Sequence, residues 1–201
     1  MYRSEDIMKK KQTEGSTMKK VVLLGDSIRL IGYGTPLAEK LKDEFEFWQP
    51  ENNSRFANYL LRQVFDFHGK IEEADIIHFN AGHWDLCELF GDGTFTPIDT
   101  YRQTVERLAD LFLKEGKKVI FATTTPVRPE NPYNRNEVVE AFNAAVVPAL
   151  QEKGVIINDL YTPVAADIYT NICEDNIHLS DTGIALCVEK TAELLRKAKG
   201  I

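Results

Sequence analysis

Two short stretches of the sequence carry residues that could perform nucleophilic catalysis. Residues 25–28 (GDSI) contain the hydroxyl of Ser27, and residues 175–179 (DNIHL) place a carboxylate, Asp175, three positions before the imidazole of His178. A serine is a weak nucleophile at neutral pH unless a base within hydrogen-bond reach accepts its proton. A carboxylate can hold such an imidazole in the required orientation. The residue types therefore predict a nucleophile, a base and an orienting acid.

Each stretch also has an ordinary structural interpretation. A Gly-Asp-Ser sequence after a strand is often a βα turn in which Asp or Ser caps a helix, and this interpretation is favoured for the tripeptide alone. His178 could equally be a packed residue at the start of the last helix. The catalytic hypothesis rests on the combination, because the carboxyl ends of parallel strands meet at one edge of a sheet.

Two further stretches follow predicted strands. Residues 80–85 (NAGHWD) concentrate polar and aromatic groups, and they fit a site and a structural loop about equally well. In the structural case His83 and Asp85 would simply bond to backbone groups. Residues 123–127 (TTTPV) offer hydroxyls, but a Thr/Pro strand exit is more typical of structure than of chemistry.

Strands and helices that could position these groups alternate along the chain. Short apolar runs bounded by Gly, Pro or polar residues predict buried parallel strands at 21–24, 76–79, 119–122 and 155–157, with a weaker candidate at 44–48. Apolar residues at helical spacing predict helices at 52–67, 100–114 and 136–153, and a last helix at 180–199. This alternation predicts one α/β domain with a parallel sheet covered on both faces.

Composition narrows the class of partner and compartment. The net charge of −7 argues against a binder of nucleic acid or anionic membranes, since phosphate contacts require surplus Lys and Arg. The cysteines, Cys87, Cys173 and Cys187, fit neither a disulfide framework nor a zinc cluster and predict reduced thiols. With no apolar run near 20 residues, a cytoplasmic protein is expected. Residues 1–17 are predicted to be a loose leader before a domain at 18–201.

These stretches resemble the sequence blocks of the SGNH (GDSL-type) hydrolase family. The likeness spans residues 19–199: residues 25–28 match the first block with its nucleophile, 175–179 match the last block, and 77–85 stand at the third block. The resemblance implies a flavodoxin-like three-layer α/β/α sandwich with a parallel five-stranded sheet and no metal or organic cofactor. It also implies hydrolysis of esters through an acyl-enzyme, often of acetyl groups on carbohydrates or of short acyl chains.

Two blocks depart from the family pattern. Trp84 stands where the third block has an Asn that helps to form the oxyanion hole, and residues 51–55 (ENNSR) replace the usual Gly loop of the second block. The GHW sequence is more similar to the third block of plant polysaccharide O-acetyltransferase-type members. We therefore assign the oxyanion donors as the N–H groups of Ser27 and Gly82 and the side chain of Asn53, with Asn80 in reserve.

The remaining polar residues near these blocks suggest a substrate surface and some rival functions. His83, Trp84 and Arg55 are expected to face an ester substrate, with Trp84 as an apolar or sugar-stacking wall. The spacing of His83 and Asp85, with a distant His178, also matches the H-x-D…H facial triad that binds iron in non-haem iron enzymes. That interpretation leaves Ser27 unexplained. A non-catalytic carbohydrate-binding module and an acyltransferase are two further functions that the same residues allow.

Overall fold

Five parallel strands form the centre of the computed structural model, which describes residues 18–200. In chain order they are β1 (Lys19–Leu24), β2 (Phe45–Trp48), β3 (Ile76–Phe79), β4 (Lys118–Ala122) and β5 (Ile156–Asn158), and they lie side by side in the order β2-β1-β3-β4-β5. All four pairings are parallel. The predicted five-stranded parallel sheet is confirmed, and the strand predicted at 155–157 is displaced by one residue.

Burial on both faces explains why these short runs form strands. In β1 the last four residues are buried, and in β3 all four are. Val21 lies opposite Ile76 and Leu24 opposite Phe79, so the two strands end level with each other. Residues 25–27 and 80–82 therefore leave the sheet at the same edge, where ligands bind in open α/β sheets.

Helices cover both faces of the sheet. They are α1 (Gly34–Lys40), α2 (Ala57–Asp66), α3 (His68–Glu73), α4 (His83–Leu86), α5 (Ile98–Lys114), α6 (Asn136–Glu152), α7 (Tyr161–Ala165), α8 (Ile168–Asn171) and α9 (Asp181–Lys199), with a π-helical segment at Ile28–Tyr33. One apolar layer packs α2, α3, α5 and α6 against the sheet, and the opposite layer packs the π-helical segment, α1, α7 and α9. The three-layer α/β/α arrangement is confirmed.

The helix predicted at 52–67 begins later than expected. α2 starts at Ala57, because the preceding residues are tied to other parts of the chain. The N–H of Ser54 donates to the carbonyl of Gly25 over 3.0 Å, and the Asp85 carboxylate accepts from the N–H of Ala57 over 2.9 Å. These tertiary bonds hold 52–56 as a loop at the edge where β1 ends.

Two features of the described residues bear on the predicted compartment, namely membrane-spanning helices and cysteines. Within residues 18–200 no helix is both long enough and apolar enough to cross a membrane. Cys87, Cys173 and Cys187 are free, and Cys87 and Cys187 are buried. The cytoplasmic location stays a prediction, and the leader predicted at 1–17 lies outside the described residues.

Candidate active site

Ser27, His178 and Asp175 form a continuous hydrogen-bonded chain. His178 Nε2 lies 3.0 Å from Ser27 Oγ, and His178 Nδ1 lies 2.7 Å from Asp175 Oδ2. A proton on Nδ1, held by the carboxylate, leaves Nε2 free to accept from the serine hydroxyl. The structure thus brings together, across the chain, the three residues predicted to act as nucleophile, base and orienter.

The loop that carries His178 and Asp175 is closed by its own backbone. The Cys173 N–H donates to the carbonyl of His178 over 2.7 Å. Asp175 Oδ1 accepts from the backbone N–H groups of Ile177 and His178 at 3.1 and 2.9 Å. Partial burial raises the pKa of Asp175, but the bonds from the N–H and ring of His178 and from Ile177 outweigh it and hold the pKa below its ordinary value. The carboxylate is therefore ionised when it orients the imidazole.

The turn that presents Ser27 is built on a buried aspartate. Asp26 is fully buried, and its Oδ1 accepts from the Ile28 N–H at 3.0 Å and from the Asn80 side-chain amide at 2.7 Å. A Cβ on Gly25 would overlap the Asn80 side chain, so a glycine is required at that position. Asn80, the reserve candidate for an oxyanion donor, is buried and donates an amide N–H to Asp26.

Residues 51–55 are fixed to the same turn. Ser54 is buried, and its Oγ accepts from the Gly25 N–H over 3.1 Å. The buried guanidinium of Arg29 donates to the carbonyls of Gly25, Pro50 and Asn52. Asn53 Oδ1 accepts from the Arg55 N–H at 2.7 Å, which leaves the side-chain amide of Asn53 without an acceptor among the described residues. The departure from the family's second block is thus a well-anchored loop.

The segment after β3 separates into buried and exposed side chains. His83 is buried, with Nε2 at 3.0 Å from Thr125 Oγ1 and Nδ1 at 3.2 Å from the amide of Asn134. Burial lowers the pKa of His83 to about 4, so the ring is neutral near pH 7. Trp84 is 41% exposed. A Cβ on Gly82, the residue before His83, would overlap Thr124, so a glycine allows this segment to lie close to the residues that follow β4.

A cavity of about 220 Å³ adjoins the nucleophile. Its lining residues are Ser27, His83, Trp84, Cys87, Leu89, Tyr133, Asn134, Ile177 and His178. Four of them were predicted as site residues. The predicted Gly82, Asn53 and Arg55 are not part of this lining, although Arg55 contacts Trp84, with its guanidinium carbon 5.9 Å from the ring centre. A larger cavity of about 410 Å³ lies between α6 and β5 and contains neither a serine nor a histidine.

Sequence reasoning missed five of the lining residues. Cys87, Leu89, Tyr133, Asn134 and Ile177 lie in loops whose sequence has no periodic pattern. Of these five residues, Ile177 could have been suspected from the sequence, because it directly precedes the predicted base His178. Asn134 is found only through its bonds to the ring and carbonyl of His83.

The three residues of the iron hypothesis, His83, Asp85 and His178, are not arranged around a common metal position. Both ring nitrogens of His83 are engaged as described, and Asp85 turns away to bond the start of α2. Within residues 18–200 no three His, Cys, Asp or Glu side chains are grouped as metal ligands would be. The geometry of these side chains fits a hydrogen-bonded site better than a facial triad.

Comparisons with known proteins find esterases and lipases of similar sequence or fold. No family model matches the chain. A curated protein, the GDSL esterase/lipase WDL1 of Oryza sativa subsp. japonica, is 23% identical over 163 residues, which cover 73% of this chain and 63% of the rice protein. The solved structure of a lipase/acylhydrolase from Enterococcus faecalis superposes with a TM-score of 0.77 at 17% identity, covering 90% of this chain and 97% of that one.

The chain has the fold of the SGNH hydrolases. An acetyl xylan esterase, AlAXEase, is also similar, with a TM-score of 0.74 at 20% identity over 87% of this chain and 98% of that chain. A GDSL-like lipase from Bacteroides thetaiotaomicron gives a TM-score of 0.71 at 17% identity, covering 90% of this chain and 89% of that one. The predicted resemblance to the SGNH (GDSL-type) hydrolases is therefore confirmed in sequence and in fold.

Proposed function

We propose that this chain is a serine esterase that hydrolyses small acyl esters, acetyl esters first among them, through an acyl-enzyme. The observation that carries the proposal is the contact of His178 Nε2 with Ser27 Oγ at 3.0 Å, backed by Asp175 at 2.7 Å from Nδ1. The similarity to a GDSL esterase/lipase and to several solved esterases supports the same reaction class.

The mechanism follows from these three side chains. Ser27 Oγ attacks the acyl carbonyl while its proton passes to His178 Nε2, and Asp175 stabilises the imidazolium. Collapse of the tetrahedral intermediate breaks the bond to the alcohol, which receives that proton from His178. A water molecule then attacks the Ser27 ester and gives a proton to His178. His178 returns this proton to Ser27 Oγ as the acyl–oxygen bond breaks, which releases the carboxylic acid and restores the free serine.

The oxyanion requires preorganised donors. Among the described residues, neither the N–H of Ser27 nor that of Gly82 donates a hydrogen bond to another group. The side-chain amide of Asn53 likewise donates no bond among the described residues, whereas the amide of Asn80 is buried and donates one N–H to Asp26. These free donors support Ser27, Gly82 and Asn53 as the oxyanion set, with the Asn53 amide replacing the family Asn at Trp84.

The size and walls of the cavity suggest a short acyl group. A space of about 220 Å³ admits an acetyl group and part of an alcohol more readily than a long acyl chain. Trp84, partly exposed and lining the cavity, offers an aromatic surface for a sugar ring, and the similarity to an acetyl xylan esterase points to the same substrate class. An acetylated carbohydrate is therefore the substrate that we propose, without a cofactor.

The binding-module and acyltransferase hypotheses lack a supporting feature. A purely binding module requires no hydrogen-bonded serine and histidine, and an acyltransferase would need a built site for a second acceptor beside Ser27. Hydrolysis is therefore the function that the geometry supports best.

Turnover of p-nitrophenyl acetate tests the proposal. Ser27→Ala and His178→Ala should each lower kcat by about 10³-fold or more, since the nucleophile and base act as a unit. His68→Ala is the matched control, because His68 is exposed on α3. Undiminished activity in Ser27→Ala or His178→Ala would exclude the assignment. A panel of acetylated sugars and longer-chain esters then measures the acyl and alcohol preference.

A further inference from the structure

Arg55 lies over the aromatic wall of the site. Its guanidinium carbon is 5.6 Å from the ring centre of Tyr59 and 5.9 Å from that of Trp84. Trp84 in turn lines the cavity that contains Ser27. These cation–π contacts hold the guanidinium next to Trp84, and none of its N–H groups donates a hydrogen bond within residues 18–200.

The charge of Arg55 is not neutralised by the protein. Four surface arginines form ion pairs with nearby carboxylates, namely Arg62 with Asp66, Arg102 with Glu106, Arg135 with Glu88 and Arg196 with Glu44, whereas Arg107, exposed on α5, forms none among the described residues. Arg55 is exposed and takes part in no ion pair or side-chain hydrogen bond within residues 18–200. In a chain of net charge −7, what sets Arg55 apart is an unpaired guanidinium in contact with Trp84, a residue that lines the cavity containing Ser27.

The backbone holds Arg55 in an uncommon conformation. Its φ of 51° lies in the left-handed region, which bulky residues rarely occupy. The two neighbouring anchors, Ser54 bonded to Gly25 and Ala57 bonded to Asp85, enforce it. Arg55 is thereby positioned relative to the turn that presents Ser27, and such outliers concentrate where a binding site requires them.

We propose that Arg55 binds an anionic group, a carboxylate, on the alcohol portion of the ester. This inference rests on the proposed function, because it takes the acyl group to occupy the cavity beside Ser27. The alcohol then leaves the cavity across Trp84 and meets the guanidinium, whose fork matches a carboxylate. An acetylated acidic alcohol, such as an acidic sugar, is the substrate class that this arrangement selects.

Two acetyl esters of similar size, one anionic and one neutral, test whether the enzyme recognises the charge of the alcohol portion or its shape. Acetyl ester hydrolysis of 4-acetoxybenzoate, an anion, is compared with that of neutral 4-acetoxybenzamide, by phenol release. We expect wild type to favour the anion, and Arg55→Ala to lower the ratio of kcat/KM values, anion over amide, by about fivefold through KM. Arg55→Lys should restore part of the ratio, and 0.5 M salt should reduce it in wild type.

Controls make each outcome decisive. Arg107→Ala removes an exposed guanidinium of α5 and should leave the ratio at its wild-type value. An equal effect of Arg55→Ala on both probes would overturn the inference and mark Arg55 as a packing residue of Trp84. If wild type hydrolyses neither probe, the proposed function fails. Calorimetric binding of 4-acetoxybenzoate to Ser27→Ala, with and without Arg55→Ala, then tests the subsite alone, and binding that ignores Arg55 would overturn it.

Discussion

Asp175 and Asp85 are two carboxylates near the same edge of the sheet, and they behave in opposite ways. The side chain of Asp175 is 50% exposed, and it accepts bonds from two backbone N–H groups and from the ring of His178. Asp85 is buried, with one oxygen bonded to the Ala57 N–H and the other, Oδ1, without a partner among the described residues. Their local hydrogen bonding sets their electrostatics apart.

The pKa values follow this difference. Hydrogen bonds hold the pKa of Asp175 below its ordinary value despite some burial. At Asp85, burial raises the pKa to about 6, and the bond from Ala57 only partly opposes it. Asp175 is therefore arranged to stay charged and to orient a base, whereas Asp85 fixes a loop at a cost in stability. Replacing each by Asn should therefore affect activity in one case and stability in the other.

Asp175→Asn is expected to produce the largest effect. An amide donates towards His178 Nδ1 and so favours the tautomer with its proton on Nε2, which cannot accept from Ser27. We expect kcat for p-nitrophenyl acetate to fall by about 10³- to 10⁴-fold. Glu174→Gln is the control, as an exposed neighbour on the same loop. A loss below tenfold would show that Asp175 does not orient the base.

Asn53→Asp tests the proposed oxyanion donors, for which the sequence offers no matching family block. The substitution keeps an oxygen for the Arg55 N–H but removes the amide donor that we assign to the oxyanion. We expect kcat to fall by about 10²-fold or more, and Asn53→Ala to lose a similar factor. If only KM changes, Asn53 contacts substrate without holding the oxyanion. If neither constant changes, its role is limited to the turn.

Asp85→Asn should give the smallest effect, with a defined dependence on pH. Because the folded-state pKa of about 6 exceeds the ordinary 3.8, wild type loses stability as pH rises through that window, and the Asn variant does not. The free energy of unfolding of the variant, minus that of wild type, should be about 1 kcal/mol more positive at pH 8 than at pH 5. Urea denaturation measures it, with Asp92→Asn in an exposed loop as the baseline. An unchanged or opposite difference would contradict the burial of a charged Asp85.

The sequence predicts the sheet and the loop of Asp175 and His178 well because both depend on local patterns. The contact of His178 with Ser27, 151 positions away, follows instead from the meeting of strand ends at one edge of the sheet. Apolar runs such as 76–79 mark strands whatever surrounds them, and the loop at 175–178 closes with bonds between near neighbours. Short elements such as α4 and α8, four residues each, have too few residues to show a helical period. The predicted start of α2 was wrong because distant partners, Gly25 and Asp85, decide it.

The residues that line the cavity also depend on contacts between distant parts of the chain, which local sequence patterns do not show. Tyr133 and Asn134 belong to a loop between β4 and α6, and only the folded chain brings them to Ser27. Arg55 illustrates it further, since its neighbours in sequence do not reveal that it stacks on Trp84. Residue types indicate the reaction, whereas the surface that selects the substrate depends on long-range packing.

Labelling with a fluorophosphonate probe is the sharpest test of Ser27 as the nucleophile, because the probe reacts with an activated serine without requiring the natural substrate. We expect one adduct per chain, located on Ser27 by peptide mass spectrometry, absent in Ser27→Ala and formed far more slowly in His178→Ala. A folded wild-type protein that remains unlabelled, or a Ser27→Ala variant labelled as fully as wild type, would contradict it.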